Sequence, residues 1–510
     1  MSSETFDLDL LLLLSAVVLL VSIAAVRLAV GSGLPTLLLY LGLGLVLGEN
    51  VLGLEFDDAT LARSLGYAAL VVILAEGGLT TPWDGIRSAV PAAASLATVG
   101  TAVSVGVVGV AAHLLLDVGW QDALLIAAVL APTDSAAVFS VLRKVPLPPR
   151  LGGLLEAESG FNDAPVVILV AALASTGHSV PSWWELLLLI AFELALGGVV
   201  GLAVGYAGAW GVRRIALPSS GLYPLAVLAL CVTAYGAAAV AHGSGFLAVY
   251  IAGLVLGNGR LPHRAATRGF VEGAGWLAQI GLFVMLGLLA TPAELGPSIL
   301  PALGIGLVLL VVARPLSVFL SMLPFQLKRP GWHFPTTRRE RLLLSWAGLR
   351  GAVPVVLATV SGDPDVFNLV FVLVIVFTLV QAPTLPRVAR ALGVVAEGAA
   401  QQLEIESSPL TRLDADLLQV HVAEGSRLAG VEVFELSLPT GAAVSLIVRG
   451  GEAFVPRAST PLQVGDDLIL VATESVRREV ERRLQAVSRG GRLADWVDPR
   501  RPRPRRHPHS

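Results

Sequence analysis

Leu155-Glu156-Ala157-Glu158-Ser159-Gly160-Phe161-Asn162-Asp163-Ala164-Pro165 sets three carboxylates, an amide and a hydroxyl inside an otherwise apolar stretch that begins near Gly153. Ionisable side chains are costly at bilayer depth, so a purely structural spanning helix avoids them. Helical spacing sorts the polar groups. Ser159 and Asp163 are i, i+4 neighbours on one face; Glu158 and Asn162 form a second such pair about 100° around the helix. The first face offers a hydroxyl and a carboxylate to a small hard cation. The second offers a carboxylate and an amide that can anchor to a buried arginine. Glu156, nearer the helix end, is read as a side chain that snorkels to the membrane surface.

The rest of the chain fits a membrane setting. Its 510 residues are 55% hydrophobic with a mean hydropathy of +0.76, whereas soluble domains carry about 25% charged residues. Residues 1–392 hold 42 charged side chains (20 Lys/Arg, 22 Asp/Glu) and the last 118 residues hold 31. The density therefore changes from 11% to 26% at that point, which predicts a polytopic membrane domain followed by a soluble one. A net charge of −3 argues against a nucleic-acid partner, and a lone cysteine, Cys231, excludes an intramolecular disulfide and a Cys-based metal site. The acidic start (Glu4, Asp7, Asp9) is unlike the basic n-region of a signal peptide.

Spans of about 20 apolar residues are expected to begin near Leu8, Leu34, Leu61, Ala89, Asp122, Gly153, Trp183, Gly221, Gly245, Gly269, Ser298, Arg339 and Val366. The reading is thus thirteen helices, with twelve as the alternative because Gly245–Gly257 is short. With the N-terminus outside, 17 of the 20 basic residues fall on one side and Arg63 alone on the other, while Arg314 and Arg350 stay in the apolar layer. That asymmetry follows the positive-inside rule and predicts a cytoplasmic C-terminus. The fifth span is interrupted by Ala131-Pro132-Thr133-Asp134-Ser135 and the twelfth by Gly348-Leu349-Arg350-Gly351-Ala352-Val353-Pro354. Proline removes a backbone donor and glycine loosens a helix. Breaks at corresponding places in two halves point to a transport site. Asp134 would sit at a half-helix N-terminus and Thr133 would offer a freed carbonyl. Glu76, beside Gly77-Gly78, is a further intramembrane acid, or else a residue at the cytoplasmic mouth. A carboxylate that takes either a proton or a cation, not both, is sufficient chemistry for exchange. A cation channel uses similar residues and is the rival reading. An intramembrane hydrolase built on His242-Gly243-Ser244-Gly245 is the remote one.

Together, Leu155–Asp163, Ala131–Asp134 and Trp346-Ala-Gly-Leu-Arg-Gly-Ala-Val-Pro354 resemble the monovalent cation:proton antiporters, in the Asn-Asp branch with the NhaP-like exchangers. The resemblance spans residues 5–392. It implies an all-α fold of about thirteen helices in a 6+1+6 inverted repeat with crossed, unwound fifth and twelfth helices, as a homodimer. It implies that Asp163 binds cation and proton alternately and that Asn162 supports it. Ser159 and the Thr133 carbonyl would be cation ligands, and Glu158 with Arg350 would form a buried ion pair; Asp134 and Glu76, read from the residues above, join the cation/proton site. One acid in place of two implies electroneutral exchange. Ser135 departs from the Pro that often follows Thr-Asp in the family, which bears on the geometry of the break. Trp276–Gly287 and Ala131–Ser140 resemble the potassium/proton members, which favours K⁺ over Na⁺.

Residues 393–403 read as a polar linker. Within 404–487, strands are expected at Leu418–Val422, Ala442–Val448 and Asp467–Val471, with a helix at Ser475–Leu484. The phrases Glu424–Gly430, Leu446–Gly451 and Gln463–Asp466 resemble the RCK-C (TrkA-C) domain of potassium-conductance regulators, a small α+β fold. The resemblance leaves open a small regulatory ligand at a dimer interface or a purely structural dimerisation module. No Gly-x-Gly-x-x-Gly follows a strand, so no nucleotide cofactor is expected. Residues 488–510, with Arg500-Arg-Pro-Arg-Pro-Arg-Arg506, read as a disordered basic tail with some attraction to anionic lipid.

Overall fold

The computed structural model describes residues 3–32, 35–48, 52–54, 56, 58–142, 145, 147–174, 182–259, 261–326, 334–395, 405–410, 415–423, 425–473, 476–491 and 494. Loop charges Arg143, Lys144, Arg260, Lys328 and Arg329, most of the linker, Glu424 and the basic run 500–506 lie outside the described residues. The chain divides into two compact units, Met1–Val395 and Ala396–Ser510.

The first unit is helical. In chain order its main elements are α1 Ser3–Ser32, α2 Thr36–Leu47, α3 Ala59–Thr80, α4 Val90–Leu116, α5 Trp120–Val129, α6 Ser135–Leu142, α7 Pro149–Ala174 and α8 Trp183–Arg214. They continue with α9 Leu222–Val240, α10 Gly245–Asn258, α11 Arg264–Leu289, α12 Ile299–Gln326, α13 Arg338–Trp346, α14 Ala352–Ala358 and α15 Pro364–Ala391. Among the described residues eight of these, α3, α4, α7, α8, α9, α11, α12 and α15, are long and apolar enough to cross a membrane unaided. The thirteen expected spans exceed that number for a physical reason. The apolar runs of α1, α2 and α10 are short, and the fifth and twelfth expected spans are each divided in two, as α5/α6 and α13/α14. Caps set the starts of several helices: Asp58 accepts from the Thr60 and Leu61 amides (3.0 and 2.9 Å), and Thr337 with Glu340 makes a capping box ahead of α13.

Two further irregularities repeat along the chain. α4 contains a π-turn at Leu96–Gly100 and α12 one at Leu309–Ala313. Counting α5/α6 and α13/α14 as one element each, the π-turns lie in the fourth and eleventh elements and the breaks in the fifth and twelfth. Both pairs are offset by seven.

Among the described residues, the second unit is a five-stranded sheet with one α-helix. Strands β1 Ile405–Leu410, β2 Ala415–His421, β3 Ala442–Arg449, β4 Glu452–Phe454 and β5 Asp467–Thr473 pair antiparallel in the order β1-β2-β5-β3-β4. Leu418, Val420, Ile447, Leu468 and Leu470 line one face and form a core with Val480, Leu484 and Val487 of α16 Arg477–Gly490. Gly450 and Gly451, both at positive φ (57° and 88°), make the two-residue β3–β4 turn. The three expected strands and the helix are present. β1 and β4 were not expected: β1 is polar and carries Pro409, and β4 has three residues.

Candidate functional site

The two breaks meet. Leu130 ends α5 and residues 131–134 run without regular structure to α6; residues 347–351 do the same between α13 and α14. The Asp134 amide donates to the Leu349 carbonyl at 2.9 Å. Arg350 Nη1 donates to the carbonyls of Ala131 and, at 2.5 Å, Pro132. Each break thus satisfies backbone groups that the other leaves without an intrahelical partner. The contact is tight, since a Cβ on Gly351 would run into the Asp134 carboxylate. Thr378 and Gln381 of α15 hold the second break from behind, donating to the Arg350 carbonyl (3.4 Å) and the Trp346 carbonyl (3.1 Å).

α7 runs past this crossing and presents the residues singled out from its sequence. Ser159 Oγ donates to the Thr133 carbonyl at 3.0 Å, and Asn162 Nδ2 donates to Thr133 Oγ1 at 2.8 Å. Asp163 is buried, 6% exposed, and within electrostatic reach of Asp134. Asp134 accepts from the Ala137 amide at 3.2 Å, so it caps α6. Thr133, Asp134, Ser159, Asn162 and Asp163 are therefore brought to one place. Glu76 is not part of that contact set. It stands on α3 against Gly275 of α11, in reach of Glu272, Arg268 and Glu156.

Two oxygens in the cluster are left over. Asp163 Oδ1 and Asn162 Oδ1 are buried and accept no hydrogen bond. An unsatisfied buried polar group costs about 1–3 kcal/mol, more for a charged one. A proton or a cation would satisfy such oxygens.

The expected pairing of Glu158 with Arg350 is corrected by the structure. Glu158 is held by Arg314, Nη1 to Oε1 at 2.6 Å and Nη2 to Oε2 at 3.1 Å, with side chains 6% and 2% exposed. Arg314 follows directly on the π-turn of α12 and passes beneath Gly348, where a Cβ would lie 2.7 Å from its Nε. Arg350 is occupied by the carbonyls of the first break. The signal for Arg314 was present in the sequence, as one of two basic residues in the apolar layer, but nothing in the spacing assigned it a partner. Glu156 also differs from expectation: its carboxylate is bonded to the Thr81 hydroxyl instead of reaching outward. Glu193 lies in reach of His242, and its backbone carbonyl accepts from the Ser244 amide at 2.9 Å. Ser244 caps α10, which absorbs the His-Gly-Ser-Gly phrase into a turn.

Long apolar helices crossed at two unwound breaks, with a buried carboxylate set against them, define a membrane exchanger of cations and protons. The sodium/hydrogen exchanger, transmembrane, family matches residues 13–391, and the TrkA-C domain matches residues 417–485. Among curated relatives, the K(+)/H(+) antiporter NhaP of Alkalimonas amylolytica is 35% identical over 484 residues, covering 91% of this chain and 81% of that protein. The K(+)/H(+) antiporter NhaP2 of Shewanella sp. (strain ANA-3) is 36% identical over 480 residues, covering 91% and 80%. The Na(+)/H(+) antiporter NhaH of Halobacillus dabanensis is 28% identical over 378 residues, covering 69% and 90%. The solved structure of the sodium proton antiporter MjNhaP1 from Methanocaldococcus jannaschii shares the fold, with a TM-score of 0.63 at 22% identity over 75% of this chain and 100% of that one. The chain belongs to the sodium/hydrogen exchanger family, and it carries a TrkA-C domain.

Proposed function

We propose that the protein exchanges K⁺ for H⁺ across the cell membrane, one for one, with the two ions competing for Asp163. The observation that carries this is the buried Asp163 carboxylate with an unpartnered oxygen, on the helix whose Ser159 bonds the Thr133 carbonyl in the break and within electrostatic reach of Asp134. Ser159, Asn162 and Asp134 complete the oxygen set, and Glu76 lies on the way to it. Glu158 and Arg314 hold α7 to α12. K⁺ is favoured over Na⁺ by the fused TrkA-C domain and by the names of the relatives that span both parts of the chain. Na⁺/H⁺ exchange is the second reading, favoured by the NhaH relative.

Seventeen basic residues on one side place that side, and the C-terminus, in the cytoplasm, with the N-terminus outside. Thirteen spans in a 6+1+6 inverted repeat fit the sevenfold offset of π-turns and breaks. The working unit is a homodimer in lipid, divided into the exchanger domain 1–392, the linker 393–403, the regulatory domain 404–487 and a basic tail 488–510. The regulatory domain binds a small ligand or serves dimerisation.

The deciding experiment is dye-monitored exchange in everted vesicles with KCl and NaCl supplied separately, comparing wild type with Asp163→Asn. K⁺-driven proton movement lost in the variant, with protein levels retained, is expected. Substantial coupled exchange in Asp163→Asn would overturn the assignment, and Na⁺-only activity would overturn the choice of K⁺.

A further inference from the structure

α7 carries a second carboxylate on the same face as Asp163. Glu156 precedes Asp163 by seven residues, two turns of helix, which places it about 10 Å along the axis and nearly in line with it. Ser159 and Gly160 lie between the two on that face. A Cβ on Gly160 would strike the Tyr250 ring and lie 2.7 Å from Tyr250 Oη, so the tyrosine of α10 fills the space between the two acids. Tyr250 is 2% exposed, and its hydroxyl lies close to Thr81 and Glu156. Phe161 packs edge-on against the same ring.

The surroundings of Glu156 are built, not incidental. The Thr81 hydroxyl touches its carboxylate and also reaches the Gly77 carbonyl at 2.7 Å. Thr81 itself is 1% exposed. Asn258, at the end of α10, fixes this corner: Nδ2 donates to the Thr81 carbonyl at 2.9 Å and Oδ1 accepts from the Trp83 amide at 2.8 Å. Glu76, Glu272 and Arg268 surround the corner from α3 and α11. A carboxylate, a threonine hydroxyl and a buried tyrosine hydroxyl thus neighbour one another, and all three have lone pairs to give.

We propose that Glu156, Thr81 and Tyr250 form a second binding station for the transported monovalent cation, on the cytoplasmic side of Asp163, with Tyr250 as the partition between the two. The proposal rests on the exchange reading and on the orientation given above. The station receives the cation from the cytoplasm, and rotation of the Tyr250 ring away from Gly160 opens the way along α7 to Ser159 and Asp163.

The test uses the sidedness of vesicles. In everted vesicles the cytoplasmic face meets the bath, and the half-saturating KCl concentration for proton movement reads this route. Glu156→Gln should raise it about tenfold, equivalent to about 1.4 kcal/mol, and Tyr250→Phe about threefold, the loss of one ordinary hydrogen-bonding group; saturating rates should be retained. In right-side-out vesicles, with KCl at the other face, both variants should match wild type. An unchanged cytoplasmic-side value, or the same rise from both faces, would overturn the station, since a structural defect or damage to the Asp163 site has no sidedness. If Glu156→Gln fails to fold, Tyr250→Phe, which keeps the ring, decides alone. Absence of exchange in wild type would instead bring down the exchange reading.

Discussion

Removing Arg314 should cost more stability than removing any other single basic residue of the membrane domain. Its guanidinium makes two hydrogen bonds, at 2.6 and 3.1 Å, to a Glu158 carboxylate that is 2% exposed. Breaking a buried pair by deleting one partner costs about 3–5 kcal/mol, because the other charge is stranded. Against a total stability on the order of 5–15 kcal/mol, Arg314→Ala and Glu158→Ala should each leave little monodisperse protein. The double variant should recover much of the loss, since no charge of the pair then remains, and the recovery should exceed about 2 kcal/mol. Size-exclusion profiles of detergent-solubilised protein after graded heating supply the cycle. Glu158→Ala/Arg350→Ala is the control: Arg350 serves the Ala131 and Pro132 carbonyls, so its coupling to Glu158 should be the smaller. A larger coupling of Glu158 with Arg350 than with Arg314 would refute the pairing.

Competition at Asp163 predicts that the half-saturating cation concentration rises as pH falls while the saturating rate on the cation-binding side holds; a fall in saturating rate alone, seen in vesicle titrations across pH, would contradict it. One-for-one exchange predicts rates that ignore an imposed membrane potential, checked with valinomycin clamps. Gly351→Ala should abolish exchange, because the added methyl meets the Asp134 carboxylate and pushes the two breaks apart; full activity would mean that the breaks do not need to touch. In the C-terminal domain, burial raises the Asp466 carboxyl but the Arg449 guanidinium and the Gln463 amide more than reverse this, so Asp466 titrates below the usual carboxylate range. Its contribution is thus present above about pH 4 and is lost as pH falls through the depressed value. Hydrogen exchange of residues 442–473 in the full chain should stay slow to about pH 4 and speed up below it, and Asp466→Asn should speed it at neutral pH.

Much of the site was legible because it obeys local rules. Pro132, Gly348 and Gly351 announce the breaks through backbone chemistry alone, and the i, i+4 spacing on α7 sets Ser159 and Asp163 apart from Glu158, whereas Asn162, paired with Glu158 by spacing, joins Ser159 at Thr133. What was not legible depends on how helices far apart in sequence pack. Arg314 and Arg350 are equivalent as one-dimensional candidates for Glu158. The crossing of the breaks decides between them by committing Arg350 to the Ala131 and Pro132 carbonyls. Glu156 looked free to snorkel because Thr81 lies 75 residues away, at the end of α3. In the C-terminal domain β2 alternates in its sequence and β5 in its burial, whereas the polar, Pro-containing Ile405-Glu-Ser-Ser-Pro-Leu410 carries no such pattern and becomes a strand by pairing with β2.

The pairing of the breaks also bears on how the site can work. A helix interruption inside a membrane leaves amides and carbonyls that hydrocarbon cannot satisfy. Here the partners come from the other interruption, seven elements away: the Asp134 amide with the Leu349 carbonyl, and Arg350 with two carbonyls of the first break. Neither half of the repeat can therefore hold its break in this form alone, and α5/α6 and α13/α14 must move together if they move at all. α7 is joined to the first break by Ser159 and Asn162, and to α12 by Glu158 and Arg314. Asp163 is thus carried on a helix that these contacts tie to the first break and to α12. The π-turns of α4 and α12 lie at equivalent places in the two halves, and the second delivers Arg314 to this group. On the proposed reading, these ties keep the single carboxylate for which cation and proton compete in a fixed setting.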